Sequence, residues 1–134
     1  MKNIITHPYI VIISFFIIMI SGQHLGGFYL LYLLLALPHG GVHSLLALLG
    51  IVLLLISYNK YKRKKIYLIE SIINMVAIIL LILSLFSFFY NDKEHYNFGT
   101  FYQIVPQITL VIFSIVALTF LLDNVLVKNK KFKV

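Results

Sequence analysis

Three of the five histidines, His24, His39 and His43, and five of the seven glycines fall within the single stretch Gly22–Ser44. A neutral imidazole nitrogen is a good ligand for zinc, copper or haem iron. His39 and His43 are four residues apart, so a helix that began at His39 would project both from one face, and His24 could join them from the adjacent turn. Such a centre would suit transport or electron transfer. No thiol or carboxylate accompanies the three in sequence, and His-x-x-x-His without an intervening Glu lacks the general base of the zinc-protease motif. The competing reading places these histidines at a bilayer interface, bonded to loop carbonyls, with the glycines allowing backbones to approach.

Glu70 and Asn74 form a second candidate. They are one helical turn apart on one face of an apolar segment, where a carboxylate and an amide would line a polar notch able to couple to protons or cations. The structural alternative pairs Glu70 with Lys64 or Lys65 at the basic entrance to that segment. Asp123 and Asn124 lie near a Lys-rich tail and read as local charge balance, and Asp92, Lys93, Glu94 and His95 read as a solvated loop. No nucleophile and base can be placed together, so catalysis is not expected.

The elements that must carry these residues are those of a membrane protein. Of 134 residues 61% are hydrophobic and only 11% charged, and the mean hydropathy is +1.00, far from the mix of a soluble domain. Lipid must cover what polar side chains do not. The absence of cysteine excludes a disulfide framework, thiol catalysis and palmitoylation. The net charge of +7 comes from Lys and Arg flanking apolar runs, which points to topology and anionic lipid headgroups rather than nucleic acid.

The apolar runs predict helices over about 4–22, 42–58, 66–90 and 101–127, with a short one over 25–37. The fold class is therefore all-α: a polytopic helical bundle of four full transmembrane helices plus one short re-entrant helix, or five spans if the short one crosses. The amino-terminal run lacks a good cleavage site and is expected to be retained. Pro8 suits a first helical turn, and Pro38 to Gly41 break the chain between helices. Lys60, Lys62, Arg63, Lys64 and Lys65 form a cytoplasmic loop and Lys128, Lys130, Lys131 and Lys133 a cytoplasmic tail, leaving 91–99 outside. Lys2 and the shortness of 25–37 favour a cytoplasmic amino terminus, so both termini are expected inside and His24 shares the outer layer with His39 and His43; with an external amino terminus it does not. The usage of Ile, Lys, Asn and Phe fits an AT-rich bacterial genome and hence an inner-membrane location. So few polar groups within the spans predict a non-enzymatic accessory subunit or homo-oligomer without cofactor, ahead of a His-lined metal or haem protein and a small transporter based on Glu70.

Overall fold

The computed structural model describes residues 7–23, 26–61 and 67–131. Its elements are α1 (Pro8–Phe16), β1 (Met19–Ser21), β2 (Gly26–Phe28), α2 (Tyr29–Ala36), α3 (Val42–Ile56), α4 (Tyr67–Tyr90) and α5 (Ile104–Lys131). A π-helical turn over Ser57–Tyr61 prolongs α3, and 3-10 turns occupy Leu37–His39 and Gly99–Phe101. Among the described residues three helices are long and apolar enough to cross a membrane: Val42–Asn59, Leu68–Tyr90 and Ile104–Asn124.

The pair α3 and α4 is the frame. They run antiparallel, since Ser84 Oγ donates to the His43 carbonyl at the start of α3 and Ser57 Oγ lies against the Glu70 carbonyl at its end. The buried stripe of α3 is made of small residues, Ser44, Ala47 and Gly50, followed by Leu54 and Ser57. Opposite it, α4 buries Glu70, Asn74, Ala77, Leu81, Ser84 and Phe88, a seam with alternating steps of four and three that keeps one helical face turned inward. A Cβ on Gly50 would lie 2.9 Å from Leu81 Cδ2 and 3.0 Å from the Ala77 carbonyl oxygen, so the two backbones approach as only glycine permits.

These contacts define two ends. One carries the turn at 37–41 and the loop 91–99; the other carries Tyr58, the start of α4 and Asn124 of α5, and is called here the basic end for the lysines that flank it in sequence. Gly40 closes the 37–39 turn at φ +66°, a left-handed conformation that glycine takes without strain.

The first segment departs from the expected continuous helix over 4–22. It starts as expected, with Pro8 in the first turn and His7 as the capping residue. It leaves helical geometry at Ile17, and Met19–Ser21 then pair antiparallel with Gly26–Phe28 in the register Met19↔Phe28, Ile20↔Gly27, Ser21↔Gly26. The physical reason lies on the other edge of β1. Alternate residues of a strand turn their N–H groups to opposite edges, and those of Met19 and Ser21 donate at 2.9 Å to the hydroxyls of Thr109 and Thr100. The two threonines, with a parallel bridge between Ser21 and Phe98, close this edge and satisfy backbone that lipid could not. The same hairpin claims the start of the expected helix 25–37, whose helical part begins only at Tyr29.

Extended chain rises about 3.3 Å per residue against 1.5 Å in a helix, so nine helical residues and about five extended ones cover roughly 30 Å. The contacts agree. The His7 ring packs on Tyr58 at the basic end, 4.7 Å between centroids, while the Gln23 N–H donates to the Tyr96 carbonyl in the 91–99 loop at 2.9 Å. The described part of the segment thus reaches from one end of the bundle to the other, helical over Pro8–Phe16 and paired as a strand over Met19–Ser21.

Candidate functional site

Polar side chains collect at two levels of this apolar frame. Near the loop end, Tyr29 is fully buried where α2 begins, with its hydroxyl 2.9 Å from Ser84 Oγ. The single Ser84 hydroxyl proton is directed at the His43 carbonyl, at 2.7 Å. Tyr29 is therefore the donor, and a chain of two hydrogen bonds runs from α2 through α4 to α3. The His43 ring is half-enclosed, with its Nε2 buried and without a hydrogen-bond partner among the described residues. Phe88 stands edge-on to His43, Tyr29 and Tyr32, with centroids 5.2–5.3 Å apart, and Phe15 of α1 meets Tyr29 in the same way. This is an aromatic core with one polar thread through it.

The histidines offered by the sequence do not share a helical face here. The helix begins at Val42, not at His39. His39 lies in the preceding 3-10 turn, exposed, with Nδ1 3.0 Å from the Leu35 carbonyl. Gly40 redirects the chain between the two histidines. His24 lies outside the described residues; its neighbour Gln23 is at the loop end, the end of His39 and His43. Among the described residues no three His, Asp or Glu side chains are grouped as metal ligands.

At the basic end the polar residues do converge. Ser57 from α3, Glu70 and Asn74 from α4 and Asn124 from α5 are 0%, 6%, 4% and 8% exposed. Glu70 is thus enclosed, and its expected pairing with Lys64 or Lys65 lies outside the described residues. Asn74 Nδ2 donates to Asn124 Oδ1 at 3.0 Å, and Asn124 Nδ2 is tied back to the Phe120 carbonyl of its own helix at 2.7 Å. Ser57 Oγ faces the Glu70 carbonyl at 3.4 Å. That Glu70 and Asn74 lie on one face of α4 is legible from their spacing. Asn124 was not assigned to this group, although it falls in step with Pro106, Phe113, Ala117 and Phe120, the buried face of α5.

Of the basic residues, Lys62, Arg63, Lys64, Lys65 and Lys133 lie outside the described residues. The backbone places Lys60 in the π turn and Lys128, Lys130 and Lys131 on the last turns of α5. Asp92 organises the opposite loop, its carboxylate accepting from the Tyr96 and Asn97 N–H groups at 3.1 and 2.7 Å. Glu94 accepts from the Tyr96 hydroxyl, and His95 adopts φ 57° with its ring on Phe98.

No family model, curated protein or solved structure matches the chain.

Proposed function

We propose that the protein is a non-enzymatic subunit of the cytoplasmic membrane that works by association, with copies of itself or within a larger membrane complex. The observation that carries this reading is the division of its surface. Inside, polar side chains are used to join segments: Tyr29 to Ser84 to His43, Asn74 to Asn124, Met19 to Thr109. Outside, the three spans present large apolar residues, among them Leu45, Leu49 and Val52 of α3, Ile79 and Phe86 of α4 and Ile108, Ile115 and Leu118 of α5. Such faces meet lipid or other helices.

The first segment acts as the fourth crossing, half of it extended. The basic residues flank in sequence the end where α3 stops, α4 starts and α5 finishes, which supports a cytoplasmic location for that end and for both termini. The protein released into native nanodiscs and weighed by native mass spectrometry should appear in an assembly of fixed stoichiometry. A monomer carrying only lipid would overturn the proposal.

A further inference from the structure

We propose that residues 17–21 are a two-state segment, held as a strand by Thr100 and Thr109 and continuing α1 as helix when the turn that carries Thr100 withdraws. Nothing in the segment itself ends the helix. Residues 9–21 contain neither Gly nor Pro, and the capping residue Ile17 stands at φ -84°, without the left-handed glycine that commonly closes a helix. The break leaves the Ser14 and Phe16 carbonyls without a backbone donor among the described residues. A continued helix would give them the N–H groups of Ile18 and Ile20, and would bond those of Met19 and Ser21 to Phe15 and Ile17.

The strand is instead held from elsewhere in the chain. Its outer edge donates at 2.9 Å to the hydroxyls of Thr109 and Thr100. Gly99, whose Cβ would lie 2.9 Å from the Ser21 carbonyl oxygen, lets the turn close on Ser21. In water, release would cost the burial of Ile18 and Ile20, which are 0% and 1% exposed. In a bilayer the lipid tails are as apolar as those neighbours, so the loss is packing and the pairing with Gly26–Phe28, and the gain is a ladder of helical hydrogen bonds. Two arrangements that each satisfy the backbone are thus separated by a few hydrogen bonds, the condition for a bistable element. Five residues reach about 9 Å less as helix than as strand. Conversion therefore draws Gln23 toward the basic end and breaks its bond to the Tyr96 carbonyl. Movement of the 91–101 region on one side of the bundle becomes a displacement of the first segment, whether or not the chain associates with other copies.

The test is a distance between spin labels on Ile13→Cys and Gln23→Cys, two exposed positions in a full chain that has no other Cys. Double electron–electron resonance in nanodiscs should give the long distance for the parent. With Thr100→Val and Thr109→Val together, a discrete distance about 9 Å shorter should become the major one, whereas the corresponding pair of Ser substitutions should keep the long one. Labelling with carbonyl-¹³C methionine reports the conformation directly. Met19 should move from a strand to a helical shift in the Val pair, with Met75 of α4 as the helical reference. An unchanged distance, a broad distribution without a discrete shorter one, a Met19 shift that stays extended, or shortening in the Ser pair would overturn the proposal. Should the Val pair fail to fold, Gly99→Ala displaces Ser21 from the turn with both hydroxyls in place and should produce the same shorter distance; its absence there would be equally decisive.

Discussion

Gly50 is the point at which the α3–α4 pair can be tested most directly. Its missing Cβ would sit 2.9 and 3.1 Å from Leu81 Cδ2 and Cγ and 3.0 Å from the Ala77 carbonyl oxygen. Ordinary van der Waals contact begins at 3.4 Å, so against Ala77 the shortfall is 0.4 Å. Leu81 can rotate, but the carbonyl belongs to helix backbone and moves only if α4 moves. Overpacking of this kind costs about 1–3 kcal/mol, and the better helix propensity of Ala returns close to 1 kcal/mol. Gly50→Ala should therefore be less stable by about 1 kcal/mol, and Gly50→Val by more, since branching adds volume and reduces the propensity gain. Gly26→Ala is the control, because its Cβ would meet nothing closer than 3.6 Å. The chain has no Trp, so unfolding in mixed micelles is best followed by far-ultraviolet circular dichroism. In a Leu81→Ala background, itself destabilised by the buried side chain it loses, the penalty of Gly50→Ala should be smaller but not zero, because the Ala77 carbonyl remains. A Gly50→Ala protein as stable as the parent, with no coupling to Leu81, would refute a backbone contact at this position.

Thr109→Val keeps the shape of the side chain and strips the acceptor from the Met19 N–H; it should cost about 1–3 kcal/mol and speed exchange of that amide, while Thr109→Ser should restore both. Ser84→Ala and Tyr29→Phe interrupt the same thread, so in a double-mutant cycle their effects should be non-additive, with a coupling near the average of about 0.6 kcal/mol for hydrogen bonds between membrane helices and at most about 1.7; independent effects would mean that the thread is not formed. The chain contains no Cys, so single substitutions report sidedness cleanly. Gln23→Cys and Lys93→Cys should react with an impermeant maleimide from one side of the membrane and Asn59→Cys from the other, and labelling of Gln23→Cys together with Asn59→Cys would refute the half-helix, half-strand crossing.

Hydropathy located α3, α4 and α5 because each is a single uninterrupted apolar run, and for such runs length alone decides. It failed on the first segment for a reason that lies elsewhere in the chain. Nothing between Ile10 and Ile20 breaks a helix, and the β-branched residues before the break, Val11 to Ile13, are as helical as any. What allows the strand is Thr100 and Thr109, some eighty to ninety residues away, and no local pattern announces a hydroxyl that will serve as a sheet edge. A shared helical face for His39 and His43 required the helix to begin at His39, and the Gly pair visible in sequence moves that start to Val42.

The seam of α4 is legible in the sequence. Read in steps of four and three from Glu70, it passes through Asn74, Ala77, Leu81, Ser84 and Phe88, so the residue suspected of chemistry at the basic end and the serine that closes the thread at the loop end belong to one helical face. Both polar levels are therefore fixed by a single rotation of α4 against α3, and the close contact at Gly50 is the pivot between them. A change that rotates or separates this pair must disturb Tyr29 and Ser84 at one end and Glu70 and Asn74 at the other together, about 15–20 Å apart along a helix rising 1.5 Å per residue. Steric strain at Gly50 should accordingly weaken both hydrogen-bonded levels at once, whereas substitutions at either level should leave the other intact, a contrast that local rearrangement of each site on its own would not produce.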